Sequence, residues 1–161
     1  AEEKGLEDAC ELAKKTNTPL KIAGYMENRT YYNKTMAKYP DIDYEYCGFL
    51  NQKELQQLLG TSEYLLMTSK WNEAFGKIII ESLACGTPVI AYNKGGPAEI
   101  IEDKKTGFLV KENCITSLID ASKNIHKINR RYCRDYVEKH FNMTPFIQRI
   151  ESWLEPHYEP L

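Results

Sequence analysis

Apolar residues follow two alternating patterns along this chain. In residues 5–15 they return at helical spacing, with Leu6, Ala9, Cys10 and Ala13 on one face. Residues 64–68 instead form a continuous apolar run, which is typical of a strand buried on both faces. The two patterns predict helices over residues 5–15, 29–39, 51–59, 75–85 and 95–101, strands over 19–24, 42–47, 64–68, 88–92 and 107–110, and helical structure over 115–153 with breaks near Asn142 and Pro145.

Strands that alternate with helices over short connections are typical of βαβ units and a parallel sheet. Right-handed crossovers would place helices on both faces of that sheet. The predicted fold class is therefore α/β, a Rossmann-like, doubly wound parallel sheet. We find no repeat or linker and assign residues 1–161 to one domain. A helix begins so close to Ala1 that we expect the first strand of the sheet to precede it.

Composition narrows the class of protein only modestly. Apolar residues make up 42% of the chain and charged residues 27%, as in an ordinary globular domain. The net charge of −2 gives no overall indication of a nucleic-acid partner. No apolar run is long enough for a membrane helix, and residues 1–4 contain no secretory signal. We expect a cytoplasmic location.

The cysteines do not indicate a metal site. They number five, and no two have C-x-x-C spacing, which disfavours both a zinc site and a disulfide framework. We expect most of the thiols to fill the core in a reducing compartment.

The predicted strand ends indicate where a ligand would bind, because open parallel sheets bind ligands at their carboxyl edge. Three of these ends contain glycine, which permits close approach of backbone to ligand: Gly24, Gly48 and Gly95-Gly96. The chain contains neither G-x-G-x-x-G nor G-x-x-x-x-G-K-[ST]. A nicotinamide enzyme and a phosphate-loop NTPase are therefore disfavoured.

The segment from Trp71 to Glu81 contains the strongest candidate chemistry. Glu73 precedes a predicted helix whose free N–H groups suit a phosphate or another electron-rich group. Glu81 lies further along the same helix, next to apolar residues, and a buried carboxylate there would need a partner. Two glutamates can equally serve ordinary roles, with Glu73 favouring the helix dipole and Glu81 as a surface charge.

The surrounding residues resemble a known family, the retaining GT-B glycosyltransferases of family 4. Residues 73–91 are similar to that family's E-x7-E motif and to the helix, turn and strand that follow it. Five further segments occur in the family's order, so that the resemblance covers residues 3 to about 125. These segments lie at residues 3–6, 22–24 and 47–50, and at 95–101 followed by 105–110.

The resemblance implies a role for each matching residue. Glu73 would be the catalytic residue, which stabilises positive character at the anomeric centre of the transferred sugar. Lys4 would neutralise the donor diphosphate, and Glu81 would bind the ribose hydroxyls. The backbone amides of Phe75, Gly76 and Lys77 would contact sugar and phosphate, and the loop of Gly48, Phe49 and Leu50 would frame the base.

This chain departs from the family pattern at several places. Ala74 replaces a common proline, which should loosen the loop without removing chemistry. Tyr25-Met26 follows Gly24 where many members have Gly-Asp-Gly, so Tyr25 could cover part of the site or serve in packing. The family's arginine about five residues before Lys4 would fall ahead of Ala1, outside these residues.

The resemblance implies the C-terminal, nucleotide-sugar-binding half of a GT-B enzyme that transfers a sugar from a UDP- or GDP-sugar with retention. Expected partners are that donor and an N-terminal acceptor domain outside these residues, through which the whole protein could associate with a membrane. No cofactor or metal is expected. Alternatives are a GT-B-like epimerase or phosphorylase-like enzyme, and a non-catalytic interaction domain. The fragment alone is expected to be inactive in transfer.

Overall fold

The computed structural model describes residues 4–154, without the side chains of residues 145, 146, 149, 153 and 154. Residues 1–3 and 155–161 of the predicted domain lie outside the described residues. Helices and strands alternate as the sequence predicts. The helices are α1 (Leu6–Thr16), α2 (Arg29–Lys38), α3 (Gln52–Thr61), α4 (Lys77–Ala84), α5 (Gly96–Ile100), α6 (Ile115–Asn124), α7 (Arg130–His140) and α8 (Met143–Leu154), and the strands are β1 (Leu20–Ala23), β2 (Tyr44–Gly48), β3 (Leu65–Met67), β4 (Val89–Tyr92) and β5 (Gly107–Val110).

The strands pair in parallel, which confirms the predicted sheet type. β1 pairs with β2, with Leu20 opposite Tyr44. A second group has the order β3-β4-β5, in which Val89 lies between Leu65 and Gly107. Parallel pairing brings the carboxyl ends of neighbouring strands to the same edge of the sheet.

Helices cover both faces of the strands, as a doubly wound fold requires. α1 packs against α2 and α6, whereas α4 packs against α3 and α7. β4 contacts both α4 and α6, and its residues Val89, Ile90 and Ala91 are completely buried. The core of the described chain is therefore centred on β4.

β3 differs from its prediction, because its residues are only half-buried. An apolar cavity of about 780 Å³ lies between β1 and β3 and is lined by Leu12, Ile22 and Leu65, among others. In a doubly wound sheet the strand preceding α1 lies between these two strands. The expected first strand would fill this place, and it stays a prediction because it concerns residues before Ala1.

Local sequence signals account for most helix ends. The capping box at α3 is confirmed, since Glu54 N donates to Asn51 Oδ1 at 3.0 Å and Asn51 N donates to Glu54 Oε2 at 2.8 Å. The break near Asn142 is also confirmed. The break at Pro145 is wrong, because Pro145 lies in the first turn of α8, where a backbone N–H is not needed.

One arginine side chain joins α7 to two other elements. The guanidinium of Arg130 donates to the carbonyl oxygens of Gly60 and Ser62 at the end of α3, at 3.2 and 2.9 Å. It also donates to Thr87 Oγ1 at 2.7 Å, and the Thr87 hydroxyl in turn donates to the carbonyl of Leu59. This cluster satisfies carbonyls that the end of α3 leaves without partners.

We predict that Arg130→Ala lowers the free energy of unfolding by about 1–2 kcal/mol, because hydrogen bonds from a charged group are lost at several acceptors. Urea unfolding measures the change. Arg131→Ala is the matched control, since the exposed Arg131 forms its ion pair with Asp135 in its own helix and such pairs contribute little. Equal losses in the two variants would contradict the assigned role of Arg130.

The cysteines only partly follow their prediction. Cys10 and Cys133 are buried, but Cys47, Cys85 and Cys114 are half-buried, so most are not core residues. Burial raises the pKa of Cys10 and of Cys133 to about 11. Hydrogen bonds from Ser117 and Thr116 lower the pKa of Cys114 to about 7. Cys114 therefore differs sharply from Cys10 and Cys133 in its thiolate population near neutral pH.

Cys114 should be the thiol most readily alkylated by iodoacetamide near neutral pH. Its rate should rise with pH to a midpoint near 7, because the thiolate forms above the lowered pKa. Ser117→Ala should move the midpoint toward the ordinary thiol value. Ser122→Ala, whose hydroxyl bonds to Ile119 in the same helix, is the control. Mass spectrometry of the labelled peptides measures each rate, and a Cys114 midpoint unaffected by Ser117→Ala would contradict this assignment.

Within residues 4–154, no helix has the length and apolar character that a bilayer span requires.

Candidate active site

Four loops gather at the carboxyl edge of the strands, where the sequence predicts the ligand site. They follow β1, β2, β3 and β4 and begin near Gly24, Gly48, Thr68 and Asn93. The loop after β3 is the longest of these connections before a helix, since it extends from Thr68 to Gly76. This loop contains Glu73, Phe75 and Gly76.

Lys4 and Glu73 come together at this edge although 69 residues separate them in the chain. The ammonium of Lys4 lies 3.3 Å from Glu73 Oε2, and 4.5 Å from the centre of the Trp71 ring. The side chains remain accessible, with exposed fractions of 53% for Lys4 and 21% for Glu73. The pair therefore places a positive and a negative group side by side on a surface that a polar ligand can reach.

Close packing at the start of α1 positions Lys4. The Thr68 hydroxyl donates to the carbonyl of Gly5 at 2.8 Å. Gly5 has a φ of +73°, and a Cβ there would lie 2.0 Å from the Thr68 carbonyl oxygen. Since only glycine allows this approach, the residue after Lys4 is held against the end of β3.

The backbone of Glu73 is held by the loop after β4. Gly96 N donates to the Glu73 carbonyl oxygen at 2.7 Å. A Cβ on Gly95 would lie 2.5 Å from that same oxygen, and a Cβ on Gly96 would lie 2.5 Å from the carbonyl oxygen of Phe75. Sequence analysis identified the glycine pair as a strand end, but it missed this positioning role, because nothing local to residues 95–96 shows that the β3 loop packs on them.

The predicted helix start needs correction. α4 begins at Lys77 and not at Phe75, because Gly76 is its N-cap and adopts a φ of +75° that a helix interior excludes. Phe75 and Gly76 therefore lie in the loop, with the Phe75 side chain exposed and Gly76 buried. This arrangement leaves the first N–H groups of α4 next to the Glu73 loop, as an anion-binding terminus requires.

Glu81 is not the buried carboxylate that its apolar neighbours suggest. Its side chain is 33% exposed, and Oε1 lies 3.3 Å from Nζ of Lys77 one turn earlier. Ile79, Ser82 and Leu83 form the buried face of α4, and Glu81 lies beside that face. The partner expected for Glu81 is thus an exposed lysine of its own helix, and the carboxylate remains accessible.

The loop after β2 presents an aromatic ring to solvent. Phe49 is 64% exposed and therefore does not belong to the core. Its ring stacks on that of Tyr25, with centroids 4.7 Å apart. Gly48 has a φ of +68°, and Leu50 is half-buried. Phe49, Leu50 and Lys4 line the same cavity.

A second group of charged side chains links the loops to one another. Sequence analysis missed this group. The Asp8 carboxylate accepts from the Tyr92 hydroxyl at 2.8 Å and lies 3.7 Å from Lys70 Nζ. Burial and the adjacent Asp8 raise the pKa of Tyr92 well above its usual range. Lys94 donates to the Lys70 carbonyl and to Glu112 at 2.6 Å. These contacts join the loops after β3, β4 and β5.

No group of three or more histidine, cysteine, aspartate or glutamate side chains within residues 4–154 is arranged to hold a metal ion.

The chain belongs to the group 1 glycosyl transferases, since the model of that family matches residues 1–143. Its fold is that of the C-terminal Rossmann-like domain of GT-B glycosyltransferases. These findings confirm the family and the fold that the sequence motifs indicate.

Among known proteins, the chain is 34% identical over 107 residues to an uncharacterized 41.2 kDa protein of the cps region of Klebsiella pneumoniae, which covers 63% of this chain and 29% of that protein. It is 27% identical over 107 residues to N-acetyl-alpha-D-glucosaminyl L-malate synthase of Bacillus anthracis, and the matched region covers 63% of this chain and 28% of that protein. A crystal structure of Anabaena HepE in complex with UDP and glucose superposes with a TM-score of 0.82 at 19% identity, over 97% of this chain and 46% of that one. The chain thus spans less than a third of the length of these two curated relatives and about half of the length of the crystallised protein.

We predict that Gly95→Ala destabilises the protein by about 2 kcal/mol or more, because its Cβ would clash with the Glu73 carbonyl at a positive φ. The clash should also weaken the Gly96–Glu73 hydrogen bond and accelerate hydrogen exchange at the Gly96 amide. Urea unfolding and amide exchange measured by NMR test both effects.

Gly60→Ala is the matched control for this substitution. Gly60 is an exposed residue of α3 with open space around its Cβ position, so alanine should stabilise the protein by about 0.5–1 kcal/mol. A Gly95→Ala variant as stable as the wild type, with unchanged exchange at Gly96, would contradict the positioning role.

Proposed function

We propose that this chain is the donor-binding half of a retaining glycosyltransferase that uses a UDP- or GDP-sugar. The observation that carries the proposal is the meeting of Lys4 and Glu73, 3.3 Å apart, beside the start of α4. This arrangement offers a cation for a diphosphate, free N–H groups for phosphate oxygens and a carboxylate for a sugar. Glu81 adds a second accessible carboxylate one turn into α4.

Each residue of the site has a distinct role in this proposal. Lys4 neutralises the diphosphate, together with the backbone amides of Phe75, Gly76 and Lys77. Glu73 is the catalytic residue and stabilises positive charge as it develops at the anomeric carbon. Glu81 accepts hydrogen bonds from the ribose hydroxyls, and Gly48, Phe49 and Leu50 frame the base. Because lysine and helix amides neutralise the diphosphate, the transfer requires no metal or other cofactor.

The ion pairs of the free protein are compatible with ligand binding. Lys4 pairs with Glu73, and Lys77 pairs with Glu81, but all four groups are partly exposed. Such pairs contribute little to stability, so breaking them costs little. A diphosphate carries more negative charge than one carboxylate and can therefore replace Glu73 as the partner of Lys4. This exchange would leave the Glu73 carboxylate free for the sugar.

The relatives support a nucleotide-sugar donor. HepE is crystallised with UDP and glucose and also with UDP-glucose, and the Bacillus anthracis relative is named as a glucosaminyl malate synthase. By analogy, the whole protein would contain an N-terminal acceptor domain and act in the cytoplasm, with peripheral membrane association through that domain. Transfer by these residues alone is not expected, because the acceptor would bind to the other domain.

Isothermal titration with UDP, GDP, ADP and pyrophosphate tests the donor site. Lys4→Ala should weaken the binding of nucleoside diphosphates and pyrophosphate by about 10-fold or more, since a charge-assisted contact is lost. Glu81→Ala should weaken the binding of the nucleotides and leave the binding of pyrophosphate unchanged, because pyrophosphate has no ribose. Lys38→Ala is the control for Lys4, since Lys38 is similarly exposed and pairs with Glu7.

Three results would count against the proposal. If the wild-type chain and a longer protein containing it bind no nucleoside diphosphate, the donor site is not functional and an interaction domain is favoured. If Glu81→Ala weakens the binding of pyrophosphate as much as the binding of UDP, the proposed contact of Glu81 with the ribose is wrong. If Glu73→Ala leaves sugar transfer by the longer protein unchanged, Glu73 is not the catalytic residue.

A further inference from the structure

Trp71 is a large aromatic residue that the fold leaves about half exposed, in the loop between β3 and α4. The ammonium of Lys4 lies over its ring, with Nζ 4.5 Å from the ring centre. A cation at this distance is attracted by the negative face of the ring, and tryptophan attracts it more strongly than tyrosine or phenylalanine does. Trp71 therefore interacts electrostatically with a charged group of the proposed donor site.

The backbone around Trp71 is fixed by residues that follow β4. The ammonium of Lys94, whose side chain is only 18% exposed, donates to the carbonyl oxygen of Lys70. Gly96 N donates to the carbonyl oxygen of Glu73 at 2.7 Å. The residue before Trp71 and the second residue after it are thus both anchored. The point from which the Trp71 side chain extends is therefore held in place beside Lys4.

Lys4 has two contacts at this edge of the sheet, and only one of them is exchanged in the proposed function. Its ammonium lies 3.3 Å from Glu73 Oε2, and a bound diphosphate would replace that carboxylate. The Lys4 side chain is 53% exposed, and holding a lysine side chain in one conformation costs much of its rotamer freedom. The Trp71 ring has no net charge, so it does not compete with a phosphate for the ammonium as a carboxylate does. The contact with Trp71 can therefore persist while the anionic partner of Lys4 changes.

We propose that Trp71 is a positioning residue for Lys4, an inference that rests on the proposed function. Its ring keeps the ammonium at the diphosphate site before and after Glu73 turns to the sugar. Trp71 acts through Lys4, so its contribution concerns the diphosphate group that UDP, GDP and pyrophosphate share. In this respect it differs from Glu81, whose proposed contact is with the ribose.

Isothermal titration of the full chain with pyrophosphate and UDP tests this inference. Trp71→Leu should weaken the binding of both ligands by about 2- to 30-fold, the range that a cation–π contact contributes. Trp71→Phe should retain part of the affinity, because phenylalanine keeps an aromatic face. Tyr39→Leu is the matched control, since it removes a ring that Lys14 approaches to 6.0 Å at the C-terminal end of α2. Binding by this control should be unchanged.

NMR of the Lys4 side chain provides a second measurement, which does not depend on affinity. The ring current of Trp71 shields protons above the ring, so the Hε protons of Lys4 should resonate upfield of their position in Trp71→Leu. The upfield shift should remain when the wild-type chain is saturated with pyrophosphate. A shift that disappears on saturation would mean that the ring does not hold Lys4 in the complex, and would overturn the inference.

Failure of this inference is distinguishable from failure of the proposed function. If the wild-type chain binds neither UDP nor pyrophosphate, both are overturned. If it binds both ligands and Trp71→Leu binds them equally well, only the positioning role is overturned. A loss of UDP binding without a loss of pyrophosphate binding would place the ring against the nucleoside, which also overturns the positioning role.

Discussion

The complete burial of β4 is the constraint on which the rest of the described structure depends. Its side chains contact helices on both faces, and its backbone pairs with β3 on one edge and β5 on the other. Burying this apolar surface is the main driving force for the arrangement of the helices. β4 also leads into Gly95 and Gly96 at the start of α5, and the backbone of these glycines holds that of Glu73. The same strand therefore anchors the core and positions the main candidate for catalysis.

The charged groups of the site contrast with this packed core. Lys4, Glu73, Lys77 and Glu81 form two partly exposed ion pairs, which add little to stability. Their partners can therefore change when a ligand with its own charges arrives. Rigidity resides in the backbone, through the close contacts of Gly5 with Thr68 and of Gly95 with Glu73. Fixed loops with replaceable side-chain partners suit a site that binds and releases a charged substrate.

Local sequence signals were sufficient to predict most of the fold. Apolar periodicity located every helix and strand from α1 to β5 to within about two residues, and the Asn51–Glu54 capping box marked the start of α3. The errors occurred where local rules have exceptions. Pro145 begins a helix turn instead of breaking it, and β3 borders a cavity that its apolar run did not indicate. Glu81 lies among apolar neighbours in sequence but on the accessible side of α4.

The sequence by itself determined the alternation of elements, the parallel sheet, the family and the positions of Glu73 and Glu81 around α4. These follow from spacing and residue type over short stretches of chain, where helix period and strand length leave few choices. Only the tertiary structure decided that Lys4 meets Glu73, that Gly95 and Gly96 hold the Glu73 loop, and that Tyr25 stacks on Phe49. Those contacts join residues 22 to 69 positions apart, and they depend on which strand ends lie side by side once the helices have packed around β4.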